Sequence, residues 1–407
     1  MSSSSAAADP GYSLLFRHRE FRALWFGSAL GTASTSMAGL ALGLLVHAQT
    51  GSALLTALVV FGPSLAQLFG ASSLMSAADT VQPRALLTTT SAAMAAAFAT
   101  QASFDLPPVG RLAIVVCASF ALSLAGGARW GLLADVVPAD RYALARSAMN
   151  VSVGMMQVLG FALGGLLAAW LAPTTIFWFA AVTSSAGALV SWFGIGKHAA
   201  RRSGRPGFRA TWAANRLLLS GSSTRWLLLA LCVPNGLVAG CEALFVSYSP
   251  SAAGVFFMAG AAGMLAGDIL VGRILTGRSR RIATEWLRLL LPIPFLVFLC
   301  NPSVTVAAVM VAIGSIGYAA SLGQQELLVA LTPRELTGQL LGAESSARAA
   351  FQGLAAAVAG TLAEFVPTGL AIGLLSVTSI TVSLALSPGL RRAAASAPLV
   401  RPAYASR

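Results

Sequence analysis

Long apolar runs separated by short breaks dominate this sequence. Of its 407 residues, 57% are hydrophobic and only 10% are charged, whereas soluble domains average about 25% charged residues. An α-helix needs about 20 apolar residues to cross the hydrocarbon core of a bilayer. The breaks divide the chain into twelve runs of about that length, so the sequence predicts an all-α integral membrane protein.

The breaks between the predicted helices contain polar residues, prolines or arginines. Numbered 1 to 12, the helices are predicted at 23–46, 53–75, 85–103, 112–133, 143–171, 175–196, 226–247, 252–275, 283–300, 304–331, 336–365 and 369–386. An even number of spans places both ends of the chain on the same side of the membrane.

The basic residues lie mostly in alternate loops. The segment 197–225 alone holds seven Lys or Arg residues and no Asp or Glu, while the opposite loops are short and nearly free of Arg, with Arg111 as the exception. Lys and Arg are in excess in cytoplasmic loops. We therefore expect a multi-pass protein of the cell membrane with both termini in the cytoplasm. The net charge of +13 does not indicate nucleic-acid binding, because the arginines are not gathered on one helix or patch.

The basic segment also divides the chain into regions. These are a cytoplasmic N-terminal segment 1–22, a six-helix half 23–196, the linker 197–225, a six-helix half 226–387 and a cytoplasmic tail 388–407. Two six-helix halves are a known transporter plan. Within the linker, Phe208, Trp212 and Leu219 fall near one side of a possible interfacial helix; the alternative is a flexible linker, above all around 203–207.

Three short stretches resemble transporter motifs. In the loop after helix 2, Asp79 and Arg84 stand where a glycine-x-leucine-alanine-aspartate-arginine-x-glycine-arginine-arginine signature has its aspartate and its last basic residue. The second half has Asp268 and Arg273 near the corresponding loop. In helix 5, the run 160–165, GFALGG, resembles the exporter motif glycine-proline-x-x-glycine-glycine. On these residues the chain resembles the major facilitator superfamily, and best the drug- and macrolide-efflux branch common in actinobacteria. The resemblance implies the major facilitator fold over residues 14–392.

The same motifs supply the candidates for gating. They are Asp79, Arg84, Asp268, Arg273, Gly160, Gly164 and Gly165. The charged residues lie near predicted cytoplasmic ends, where they would pair across the halves and close an inner gate, or else lie at the surface as free charges. The glycines allow close helix approach. We expect a hinge or seal between helix 5 and a helix of the other half, with ordinary packing as the alternative.

Glu242 in helix 7 is the first candidate for the transport site, because burying an unpaired charge in a membrane is costly. It follows the run 234–236, Pro-Asn-Gly, which we expect to loosen helix 7. Asn235 and Glu242 are seven residues apart and so share a helix face. In the family that the chain resembles, helices 1, 4, 7 and 10 line the central cavity. This implies proton coupling or binding of a cationic substrate for Glu242; the alternative is a carboxylic acid hydrogen-bonded to a neighbouring helix.

Further polar side chains lie on other predicted helices. They are Glu344, Arg348 and Gln352 of helix 11, Tyr318, Gln325 and Glu326 of helix 10, and Thr32 and Ser36 of helix 1. Glu344 and Arg348, at i and i+4, neutralise each other, so a structural role is as well supported as substrate contact. For Arg129 in helix 4, snorkelling or an ion pair with Asp135 is a sufficient explanation.

Enzyme motifs are missing from the sequence. It has no GxxxxGK[ST] phosphate loop, no HExxH, no CxxC and no Ser/His/Asp set. We therefore expect no enzyme, no cofactor and no metal. We expect a monomeric secondary transporter that exports small, largely apolar, drug- or metabolite-like compounds by alternating access, in exchange for protons. The alternatives are proton-coupled nutrient uptake and a non-transporting membrane receptor or scaffold.

Overall fold

The computed structural model describes residues 14–78, 81–138, 141–198, 222–275, 277–332 and 337–396. Within these ranges the chain is helical and has no β-strand. Each of the twelve predicted helices is present. Nine helices of the described ranges are long and apolar enough to cross a membrane. The predicted all-α membrane fold is therefore confirmed.

The helices are labelled α1 to α12 in chain order. The first six are Arg19–Thr50, Ala53–Ala78, Pro83–Ser103, Pro108–Val136, Tyr142–Ala168 and Pro173–Gly194. The last six are Ser222–Ala243, Ala253–Ile269, Gly277–Leu290, Val304–Ala330, Thr337–Ala363 and Thr368–Ser396. Shorter turns extend or interrupt them, namely Phe245–Tyr248 after α7, a π-turn Leu270–Ile274 after α8, a 3-10 segment Ile293–Cys300 after α9 and a 3-10 turn Gly317–Ala319 within α10.

Proline marks the beginning of three helices. Pro83, Pro108 and Pro173 are the first residues of α3, α4 and α6. The first turn of a helix has backbone N–H groups without intrahelical partners, so the missing N–H of proline costs nothing there, and its fixed φ suits the helix. These residues explain why the sequence breaks are close to the observed helix starts.

Two prolines lie inside helices. Pro234 is within α7, and Pro388 is within α12, which continues to Ser396 although the sequence predicted its end at 386. The run 234–236 does not end α7, which is helical to Ala243, and the expected loosening of this helix stays a prediction. Packing explains the continuation of α12. A proline removes one helix hydrogen bond, but neighbouring helices hold the chain in place: Leu390 and Ala393 of α12 are buried in a cluster with Leu227 of α7.

The described residues form two compact units, which divide after Ala41, after Ser73 and after Arg205. Unit 1 has the larger part of α1 together with α3–α6. Unit 2 has the end of α1, most of α2 and α7–α12. The sequence halves 23–196 and 226–387 thus differ from the units at residues 42–73, which pack with unit 2. Most of the linker, 199–221, lies outside the described residues, so its interfacial helix stays a prediction.

In unit 2, α2 packs against small residues of α11. A methyl group at Gly360 would lie 2.7 Å from the Leu54 Cα, so the two helix backbones are close together. Gly353, two turns earlier, lies against Leu65. After the end of α11, the Glu364 carboxylate accepts hydrogen bonds from the Ser52 hydroxyl at 2.7 Å and the Leu54 N–H at 3.0 Å. These acceptors satisfy donors at the beginning of α2 that have no intrahelical partner.

Candidate functional site

Glu242 near the end of α7 is buried, with 7% of its surface exposed. Its Oε1 accepts a hydrogen bond of 3.1 Å from the Tyr318 hydroxyl. Tyr318 belongs to the 3-10 turn Gly317–Ala319 of α10. Gly260 of α8 also faces the carboxylate, since a methyl group there would lie 4.0 Å from Oε1. Among the residues that the structure describes, Glu242 has no ion-pair partner, so this is a buried carboxyl group held by one hydroxyl.

Asn235 lies two turns before Glu242 on the same helix and is buried as well. Its Oδ1 accepts a hydrogen bond of 2.9 Å from the Gln352 side chain of α11. The two α7 residues that were predicted to share a face therefore contact different helices. Asn235 joins α7 to α11, whereas Glu242 joins α7 to α10.

Glu344 and Arg348 of α11 form an ion pair with 3.1 Å between Arg348 Nε and Glu344 Oε1. Gln325 of α10 donates to the other carboxylate oxygen of Glu344 at 3.1 Å. Glu344 is almost fully buried, with 1% exposed. Because a buried charge is stabilised by a partner and by hydrogen bonds, this arrangement has the features of a structural pair.

The charged gating candidates have varied surroundings. The Arg84 guanidinium lies over the Trp192 ring of α6, 4.2 Å from its centroid. Glu326, which is a candidate for substrate or proton coupling and not for gating, lies at the end of α10 and pairs with Arg280 of α9. Asp268 is exposed at the end of α8. Asp79 and the Arg273 side chain lie outside what the structure describes, so an inner gate made of these residues stays a prediction.

The glycines of α5 pack against α1. A methyl group at Gly160 would lie 2.8 Å from the Ala33 carbonyl oxygen, and one at Gly164 would lie 3.1 Å from the Met37 Cα. Gly165 follows in the same helix. The observed neighbour of Gly160 and Gly164 is thus a helix of the same sequence half, which fits the alternative of ordinary packing. A hinge or seal between helix 5 and a helix of the other half stays a prediction.

The hydroxyl groups predicted on helix 1 separate in the structure. Thr32 lines a cavity of about 140 Å³ in unit 1. Ser36 faces α5 instead, because its Cβ would lie 2.8 Å from a methyl group at Gly160. Of these two candidates only Thr32 therefore lies at a cavity.

Sequence reasoning missed the contact that positions Asn235 and Glu242. Gly236 and Gly240 of α7 lie against α11, where methyl groups would be 2.8 Å from the Phe351 carbonyl carbon and 2.9 Å from the Ala355 carbonyl oxygen. The spacing is the GxxxG pattern that allows close packing of membrane helices. This spacing was the available signal, but the chain has 40 glycines, which makes a single pair inconspicuous.

Comparison with known proteins agrees with the helical arrangement. A POT family transporter crystallised with 5-aminolevulinic acid is similar in structure, with a TM-score of 0.75, 11% identity, and coverage of 92% of this chain and 97% of that chain. The nucleoside transporter NupG has a TM-score of 0.72 and 11% identity, with coverage of 91% of this chain and 99% of that chain. The inward-open xylose transporter XylE from E. coli has a TM-score of 0.70 and 13% identity, with coverage of 93% of this chain and 95% of that chain.

At these identities the similarity concerns the fold. No curated protein matches the sequence. The sequence profile described as Major Facilitator Superfamily, however, matches residues 24–360, which is most of the chain and includes helices of both units. The chain therefore belongs to the Major Facilitator Superfamily, and it is a membrane transporter rather than an enzyme.

Proposed function

We propose that this protein is a secondary active exporter that exchanges small, largely apolar compounds for protons by alternating access. It acts as a monomer in the cell membrane with both termini in the cytoplasm. The observation that carries the proposal is Glu242, a buried carboxyl group that one tyrosine hydroxyl contacts and no cation neutralises among the described residues.

An isolated carboxylate is expensive to bury, whereas a protonated carboxyl group is not. A residue in this position is neutral while its surroundings exclude water, and it releases its proton when water reaches it. A transporter that opens alternately to the two sides of the membrane provides this change of surroundings. Glu242 therefore has the properties of a proton carrier.

Glu344 supports this assignment by contrast. Its charge is balanced by Arg348 at 3.1 Å and its second oxygen is occupied by Gln325. A carboxylate with a permanent cationic partner favours its charged form and does not need a proton when it is buried. Of the two buried acids among the described residues of unit 2, Glu242 is the one suited to coupling.

Export of apolar compounds is supported by the sequence of α5 and by the sparse charge of the chain. The run 160–165 resembles an exporter motif, and its glycines pack closely on α1 in the structure. Only 10% of the residues are charged, which leaves few groups for binding a strongly polar nutrient.

The test uses purified protein in proteoliposomes and a ligand identified by a thermal-shift screen of drug-like compounds. Glu242→Gln is expected to abolish accumulation of that ligand driven by a pH gradient, and to preserve exchange of labelled for unlabelled ligand, which needs no net proton movement. Glu285→Gln, the same substitution at a partly exposed carboxylate of α9, is the matched control. Accumulation by Glu242→Gln at the wild-type level would refute the coupling role.

The direction of transport is tested with the same ligand in energised cells. Exclusion of the ligand supports export, and accumulation shows uptake instead. Binding without any flux in proteoliposomes would show that the protein is a receptor.

A further inference from the structure

Unit 1 contains a cavity of about 140 Å³ between α1, α3, α4 and α6. Half of the residues that line it are serines and threonines, from all of these helices except α4. The cavity lies within unit 1 and is distinct from the surroundings of Glu242 in unit 2.

Four of these eight hydroxyl groups donate to a carbonyl of their own helix, and the Ser184 hydroxyl pairs with that of Ser34. The hydroxyls of Ser28, Thr32 and Ser91 have no hydrogen bond among the described residues, and of these three residues Ser28 is the buried one. Thr35 donates to the Gly31 carbonyl and Thr90 to the Leu86 carbonyl. Such bonds to the backbone are the usual state of hydroxyls in membrane helices. The Ser28 hydroxyl, in contrast, is buried with 5% of the residue exposed, and it has no hydrogen-bond partner among the described residues.

Arg129 of α4 is the one cation in the lining. No hydrogen bond or ion pair joins its guanidinium to any residue that the structure describes, and the pairing with Asp135 that the sequence suggested is not formed. Arg129 is half-buried, whereas two fully buried arginines among the described residues do have partners. Arg111 donates to the Gln101 side chain at 3.1 Å and to the Leu106 carbonyl at 3.0 Å. Arg288 donates to the Ser387 hydroxyl at 2.6 Å.

An unpaired guanidinium beside a polar cavity is costly unless an anion completes it. A guanidinium presents a planar fork of N–H donors that matches a carboxylate, which binds through both oxygens. The cavity has a single cation, so one negative charge is balanced and a second is not. A cavity of about 150 Å³ holds a benzene molecule, so a ligand with one ring fits a space of 140 Å³.

From these observations we propose that the cavity of unit 1 binds a small monocarboxylate. The carboxylate pairs with Arg129, the Ser28 hydroxyl donates a further hydrogen bond, and the carbon skeleton contacts apolar lining residues such as Leu87 and Met94. The inference concerns a binding site and does not depend on the direction or the proton coupling of transport.

Benzoate is the probe for this site, and benzamide is its uncharged counterpart of the same shape. Equilibrium dialysis of radiolabelled benzoate against the full-length protein in detergent is expected to show one site with a Kd on the order of 1 mM. Benzamide competes poorly. Arg129→Met weakens benzoate binding by about 10- to 100-fold because a charge-assisted pair is lost, and Ser28→Ala weakens it by a smaller factor.

Stability of the variants separates binding from misfolding. Without ligand, Arg129→Met is expected to unfold at the same temperature as the wild type or a higher one, because it removes an unpaired charge. Arg111→Met is the comparison, since it breaks existing hydrogen bonds and should unfold at a lower temperature while its folded fraction still binds benzoate. Equal binding of benzoate by wild type and Arg129→Met overturns the proposal, as does equal binding of benzamide or stronger binding of inorganic phosphate.

Discussion

The close approach of α7 and α11 leads to a quantitative prediction for Gly240→Ala. The new methyl group would lie 2.9 Å from the Ala355 carbonyl oxygen and 3.1 Å from its carbonyl carbon, both below the 3.4 Å at which ordinary van der Waals contact begins. These are backbone atoms and cannot rotate away, so the two helices must move apart. Gly39 of α1 is the matched control, because a methyl group there meets nothing within 4 Å.

The expected change in the free energy of unfolding has two opposing contributions. Replacing glycine by alanine inside a helix stabilises it by about 0.5–1 kcal/mol, while overpacking costs about 1–3 kcal/mol. Gly39→Ala should therefore raise the free energy of unfolding by about 0.5–1 kcal/mol. Gly240→Ala combines both terms and should range from neutral to about 2.5 kcal/mol less stable than the wild type.

Reversible unfolding in mixed micelles, followed by tryptophan fluorescence, measures both variants against the wild type. The informative quantity is the difference between them, expected at about 1–3 kcal/mol, because the propensity gain cancels. If Gly240→Ala and Gly39→Ala change the free energy of unfolding by the same amount, the helices do not approach as closely as the structure shows, and the reasoning fails.

Two further predictions concern carboxylates of unit 2. The hydrogen bonds from the Leu54 N–H and the Ser52 hydroxyl lower the pKa of Glu364 from its ordinary value of 4.5, so its stabilising contribution is complete above that pH and is lost as the pH falls through the lowered pKa. Measured across this pH range, the free energies of unfolding of the wild type and Glu364→Gln should become equal in acid. At neutral pH they should differ by less than about 1 kcal/mol, because the carboxylate is exposed. A difference that does not change with pH would contradict the assignment. Arg348→Gln leaves Glu344 buried without its cation and should cost about 3–5 kcal/mol. Adding Glu344→Gln should restore most of that loss in a double-mutant cycle, whereas additive effects would show that the pair is uncoupled.

The helices themselves could be predicted from the sequence, because apolar length and polar breaks are local properties. The prolines at the starts of α3, α4 and α6 are also local signals, and they lie a few residues before the predicted helix starts at 85, 112 and 175. The end of helix 12, predicted at 386, was wrong, because a helix continues through a proline such as Pro388 when other helices hold it. In α12 that support comes from Leu227, which lies far away in the sequence.

The candidate site could be predicted only as a set of residue types. Rarity of charge in apolar runs identified Glu242, Glu344 and Arg348, and the i, i+4 spacing identified the ion pair. The partners of Glu242 and Asn235 lie on different helices, and helical spacing alone does not say which helices are neighbours. The cavity beside Arg129 was missed for the same reason, since it is formed by side chains of four helices.

The contact between α2 and α11 has a consequence for how the chain is made. α2 is synthesised early, but Gly353 and Gly360, against which it packs, belong to the eleventh helix. During synthesis α2 therefore lies in the bilayer without its final packing partner until α11 has been made. Non-local contacts of this kind are slow to form. A chain that stops before Gly353 lacks its last helices and also leaves α2 without the helix surface on which it packs. The exposed α2 is then a feature by which cellular quality control can recognise the truncated chain.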